Sequence, residues 1–381
     1  MNDKEVREIR KRFRAEKNAI PKVYGCYVNE GGNIMGMFEE SLSFMPQDEA
    51  ERFLNILKKA ISGTMGKNLL NLEFTSKQVM EDEKYALLSD LRKCELKNEE
   101  LRKQLYEKIA GTLRLKGGYV ILIAHDIYDV PFRNKEDRFD PENSDEQFSY
   151  SVCAICSVKE VSQALSYHAG ENRVRSTFTG LTLTPPEIGF MFPLFDDRAA
   201  NIYGILYHIK NSGKIHPEFI ENIFGLEAPM PATEQKENFQ DILSFALEDD
   251  CSLDTVHAVH EQLSELIEQH KESKEPEQLL ISKQDISSVL ENCGISEEHL
   301  TSFSDAFDEC FGEDAELPPE NIIDRRKFII NTPETMIKVD PEQSGIVDTR
   351  IINGVKYILI PAGSGIAVNG VNVRITEEKE Q

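Results

Sequence analysis

His125-Asp126-Ile127-Tyr128-Asp129 places an imidazole and two carboxylates directly after a strongly apolar run, Tyr119–Ala124. A strand fixes its own backbone while the residues beyond it reach solvent, so strand ends are favoured positions for chemistry. There His125 suits a general base, and Asp126 with Asp129 suits a divalent cation or an orienting partner. Asp196-Asp197-Arg198 follows the apolar run Gly189–Phe195 and offers a second cluster in a similar setting. Carboxylates from two strand ends can hold magnesium or manganese for phosphodiester chemistry. His125, Asp126, Asp129, Asp196, Asp197 and Arg198 are therefore the candidate catalytic residues, with Asp126, Asp129 and Asp196 as candidate metal ligands. The competing reading is structural: Asp caps turns, and these carboxylates would pair with Arg198 or Arg133.

Other motifs fit their templates poorly. Gly63-Thr-Met-Gly66-Lys67-Asn68 invites a phosphate-loop reading, with Gly63, Gly66 and Lys67 as candidate nucleotide-binding residues. A Walker loop needs four residues between its glycines, Ser or Thr after its lysine, and a preceding strand. This stretch has two residues between the glycines, Asn68 after the lysine and a predicted helix before it. A helix C-cap leading into a turn fits better. Cys153 and Cys156 have redox or zinc spacing, but no second cysteine pair completes a zinc site. Three apart on a predicted strand, they point to opposite faces and read as buried thiols. His257-Ala-Val-His260-Glu261 departs from the zincin pattern. Leu253, Val256, His260, Leu263, Ile267 and His270 instead alternate at three- and four-residue steps, as on an apolar helical seam. Asp305–Glu316 has Phe307 and Cys310 where a calcium loop needs an oxygen ligand and glycine, so Phe303, Phe307 and Phe311 read as core.

Charge divides the chain. Of 381 residues, 67 are acidic and 43 are Lys or Arg, a formal net charge of −24. Between Glu234 and Glu320 stand 24 acids against four lysines and no arginine; the remainder carries 43 acids and 39 bases. So dense an acidic segment repels phosphate backbones and anionic lipid, and favours a basic protein partner or dissolved cations. Direct nucleic-acid binding through 234–320 is not expected. No run approaches the ~18 apolar residues of a membrane span, and the charged first residues lack a signal peptide's apolar stretch. Seven scattered cysteines do not form a disulfide framework, which together with the rest predicts a cytoplasmic location.

The elements that must position these residues are α+β. Helices are predicted over 1–18, 46–61 and 83–113, and strands over 23–28, 119–124, 148–158, 189–195 and 201–209. Prolines 185, 186 and 193 punctuate the later strands. From Glu234 the chain turns helical, with Lys271–Glu277 as a linker. Ser282 with Asp285 reads as a capping box, Gly294 as a stop and Ser296 as the next cap. Asn353-Gly354 and Asn369-Gly370 are hairpin-turn pairs within a C-terminal β module. The expected organisation is an α+β body over 1–230 with a mixed or antiparallel sheet, an acidic helical region over 234–320, and a small antiparallel module over 328–376.

Gly63–Phe74, His125–Pro131, Pro186–Pro193 with Asp197-Arg198, and Lys338–Glu342 are similar to a family of uncharacterised bacterial proteins that share a domain of unknown function. The resemblance covers nearly the whole chain and implies a bacterial cytosolic protein, with no activity, cofactor or catalytic residue attached. The leading expectation is a soluble, non-enzymatic interaction or regulatory protein with an acidic helical surface. The alternative is a divalent-metal-dependent hydrolase acting on a phosphate-containing substrate, a divalent cation being the one cofactor considered alongside the nucleotide. Nothing in the sequence sets an oligomeric state.

Overall fold

Apolar residues fill both faces of Tyr119–Ala124, and such a strand must be covered on both sides. In the computed structural model it is. The structure describes residues 1–381 except 18, 134–138, 141–145, 161–164, 171, 177–179, 326, 341–344, 363–364, 369–370 and 374–381. It divides into two units, one of residues 1–235 with 275–278 and one of residues 236–274 with 279–381.

The first unit is built on an antiparallel sheet. Its strands are β1 (Lys22–Val28), β2 (Ile34–Ser41), β3 (Leu69–Glu73), β4 (Tyr119–Val130), β5 (Glu146–Glu160), β6 (Leu181–Leu183), β7 (Ile188–Phe192), β8 (Leu194–Asp196), β9 (Ala199–Asn201) and β10 (Gly204–Ile209). The order across the sheet is β2-β1-β4-β5-β7-β10-β3, with β6 paired to the end of β5, while β8 and β9 form a separate hairpin. The central pair β4–β5 runs from Tyr119↔Ser157 to Val130↔Glu146. The later prolines flank strands without entering them: β7 lies between β5 and β10 and stops before Pro193.

Alternation along each strand feeds two hydrophobic layers. Cys26, Ile121, Ile123, Cys153, Ile155, Phe190 and Tyr207 face α3 (Ser76–Glu81), α4 (Glu83–Lys93), α5 (Glu99–Thr112) and a short helical segment ending at Phe224. Val23, Leu122, Ala124, Val152, Ala154, Cys156 and Leu206 face α1 (Asp3–Arg10) and α2 (Gln47–Lys59). The result is helix, sheet, helix. Cys153 and Cys156 fall on opposite faces, and all seven cysteines are free thiols. Burial raises the pKa of Cys153 and lifts that of Cys156 to about 12, so neither is a ready nucleophile. At Gly189 the end of α2 approaches so closely that a Cβ would lie 2.4 Å from the Ala60 carbonyl oxygen.

The second unit has its own core. It contains most of α6 (Ala232–Leu247), and α7 (Leu253–Ser273), α8 (Lys283–Asn292) and α9 (Glu297–Phe311). Ser282 and Asp285 form the capping box, and Ser296 caps α9. Phe303 and Phe307 are fully buried beside Leu263, Ile286 and Leu290, with Phe311 packed against them. The buried stripe of α7 is Thr255, Val259, Leu263 and Ile267. The predicted seam is therefore rotated: Val256 is exposed, and His257 and His260 sit at its border against the Phe328 ring. The terminal strands form three separate hairpins: Phe328–Asn331 with Met336–Val339, Asp348–Ile352 with Val355–Leu359, and Ile366–Val368 with Val371–Val373. Asn353 and Gly354 take positive φ (52° and 80°), as their turn requires; Asn369-Gly370 lies outside the described residues.

Candidate functional site

The strand expected to end at Ala124 continues to Val130, which changes the surroundings of every candidate in it. Successive side chains on a strand point to opposite faces. His125 and Asp129 consequently share one face and Asp126 lies on the other. The three do not converge on one ion.

His125 lies on the α3–α5 side, where its Nε2 is 2.9 Å from the Ser149 hydroxyl. Burial lowers its pKa, with the Glu95 and Asp126 charges acting in the opposite direction. Asp129 accepts a hydrogen bond from Gln147 at 2.9 Å. Asp126 lies under α1 and is 2% exposed. Arg12 donates to both of its oxygens, from Nε and from Nη2, each at 3.0 Å. The Tyr150 hydroxyl donates to Asp126 Oδ2 at 2.8 Å. Burial opposes the Arg12 charge, but the hydrogen bonds and charge of Asp126 outweigh it and raise the Arg12 pKa. Complete burial and then the neighbouring Asp126 raise the Tyr150 pKa, which keeps that phenol a donor.

The second cluster also converges on α1. Asp197 and Arg198 occupy the turn of the β8–β9 hairpin, both at positive φ (47° and 61°). From there Arg198 Nη1 reaches both Glu8 oxygens, at 3.0 and 2.8 Å, and Nη2 reaches the Pro131 carbonyl at 2.7 Å. The Tyr128 hydroxyl donates to Glu8 at 2.8 Å, and the Arg12 guanidinium lies over the Tyr128 ring at 5.0 Å. Asp196 accepts from the Met1 amino group and from Asn201, both at 3.1 Å. Burial pushes the Asp196 pKa up, but the amino group and these hydrogen bonds prevail and hold it low. The clusters after the two apolar runs thus meet through the first helix, with Asp196 at its start, Glu8 in its last turn and Asp126 just past its end. Arg12, Glu8 and Tyr150 are invisible to sequence reasoning, because their partners stand 24 to 190 residues away.

As a metal centre the set fits poorly. Among the described residues no group of three or more His, Cys, Asp or Glu side chains is placed to hold an ion. Both Asp126 oxygens already accept charge-assisted hydrogen bonds, which an ion would have to displace. The glycine loop is equally occupied. The Thr64 amide donates to Asn68 Oδ1 at 2.8 Å and the Gly66 amide to the Leu69 carbonyl at 2.9 Å, so neither is offered to a phosphate. The loop follows α2, as a C-cap and turn would. The Arg133 side chain lies outside the described residues.

Fold and site together define a two-unit α+β protein: an antiparallel sheet between helical layers, its ionic groups spent on fixing the first helix, and a separate acidic helical unit. The chain belongs to the family described as Domain of unknown function (DUF4317), which matches residues 1–371. Among curated proteins nothing matches it. Among the described residues no helix is long and apolar enough to cross a membrane.

Proposed function

We propose that this is a non-enzymatic interaction or regulatory protein of the cytoplasm, whose acidic helices bind a basic protein partner. One observation carries the reading. Of the acids between Glu234 and Glu320, none that is described is buried, and all but Asp250, Asp308 and Glu320 are exposed. Ion pairs among the described residues of this stretch include Lys271 with Glu320, Lys283 with Asp308, Arg325 with Glu268, His257 with Glu261 and His299 with Asp250. A field this one-sided raises the local concentration of cationic partners and speeds their encounter. In the first unit the opposite holds, since Asp126, Glu8 and Asp196 are each neutralised by a cation of the same unit.

A fluorescent oligolysine titrated into the full chain tests this. The expected outcome is saturable, salt-sensitive binding that weakens about tenfold, ~1.4 kcal/mol, when Glu265, Glu272, Glu291, Glu297 and Glu298 are changed to Gln. Unchanged affinity in that variant overturns the proposal.

A further inference from the structure

Strand β3 is the outermost strand beyond β10, and among the described residues only one of its edges is paired. The ladder shows which residues turn outward. The Phe74 amide donates to the Tyr203 carbonyl at 2.7 Å, and the Ile209 amide to the Asn68 carbonyl at 3.0 Å. Backbone bonding alternates in an antiparallel pair, so residues 68, 70, 72 and 74 bond inward and 69, 71 and 73 present their groups outward. Leu69 spends its outward groups on the preceding turn, accepting from Gly66 and donating to Thr64. Asn71 and Glu73 follow it, both exposed, each turning an amide and a carbonyl away from the sheet.

A groove of about 730 Å³ runs along this edge, with Asn71, Glu73 and Thr75 on one side and Leu226, Glu227 and Pro229 on the other. Its far wall is anchored, because Gln78 of the α3 capping box donates to the Gly225 carbonyl at 2.6 Å. The volume falls in the usual range of ligand clefts. The charges lining it are Glu73 and Glu227, and no lysine or arginine lines it among the described residues.

We propose that this edge binds an extended, positively charged segment of a partner protein, added as one further strand beyond β3. Unpaired edge groups supply the main-chain hydrogen bonds, and the side chains flanking the groove supply selectivity, as in other cases of strand addition. Glu73 and Glu227 select lysine or arginine on the incoming strand. A second copy of this chain, laid edge to edge, would bring the same carboxylates together, and a phosphate backbone would be repelled. The groove belongs to the first unit and its binding is independent of the acidic helices.

The test uses the full chain and a synthetic peptide of alternating lysine and valine, with binding followed by calorimetry. We expect saturable binding that falls at least tenfold when alternate peptide amides, those facing β3, are N-methylated. We expect a similar fall for Glu73→Lys combined with Glu227→Lys, and no change in the N-methylation-sensitive part of the binding for the five Glu→Gln substitutions in the second unit. The N-methylated peptide is tested on the unaltered protein, so a misfolded variant does not blunt the result. Absence of saturable binding, equal affinity for the N-methylated peptide, or full affinity in the folded Glu73→Lys/Glu227→Lys variant each overturns the proposal. Affinity lost only with the second-unit substitutions does so too, and leaves the acidic-helix reading standing.

Discussion

Asp126 is the residue on which catalytic and structural readings divide. A buried carboxylate held by a bidentate arginine and a phenol loses its own charge if it becomes an amide, and Arg12 is then left without a counter-charge. Removing one partner of such a pair typically costs ~3–5 kcal/mol. Asp126→Asn is therefore expected to lower the free energy of unfolding, measured by denaturant titration, by that amount, and Arg12→Met combined with it to cost less than the sum of the two single changes. Additive costs would show that the pair is not coupled. His208 makes a second prediction. It is buried in β10, its ring bonded to the Ser62 backbone, and its Nδ1 has no partner among the described residues. Burial lowers its pKa to about 4, below the ~6.5 of an unfolded histidine. The unfolded chain thus takes up a proton first, so stability is complete above pH 6.5 and falls as pH drops toward 4, by up to ~3 kcal/mol. His208→Leu should flatten that part of the stability profile; an unaltered acid limb would assign the loss to other groups.

At the scale of elements, the close approach of α2 to β7 is the most exacting contact. A Cβ at Gly189 meets backbone atoms of Ala60, which cannot rotate aside. Gly189→Ala is expected to cost about 2–3 kcal/mol in thermal unfolding, the usual penalty of overpacking. An unaffected midpoint would mean that α2 shifts freely. Local chemistry made several elements legible in the sequence. Ser282 with Asp285, Ser296, Gly294 and Asn353-Gly354 satisfy backbone groups within a few residues, so their signal is contiguous. The extent of β4 was not legible, because His125, Asp126 and Asp129 read as the polar end of a strand. Asp126 stays inside the fold only because Arg12 and Tyr150 arrive from elsewhere, and no local pattern encodes that. The same cause hid the candidate site: the carboxylates were visible, while the cations that neutralise them were not. Helix α1 ends at Arg10, short of the expected 18, since past it Arg12 is committed to the sheet.

Across the whole molecule, charge is partitioned by unit. The first neutralises Asp126, Glu8 and Asp196 internally, on the α1 side of its sheet, whereas the second keeps most of its carboxylates at the surface. The oligolysine titration is a test at this scale, for it reads a summed field and no single side chain. The sheet has a further consequence for synthesis. Register pairs Leu72 with Ile205, so this edge strand is made 133 residues before its partner. At a ribosomal pace of about 5–20 residues per second, β3 waits on the order of ten seconds for β10 to emerge. Throughout that interval both of its edges are bare, and a nascent chain so placed has reason to be met by a chaperone before it meets its own last strand.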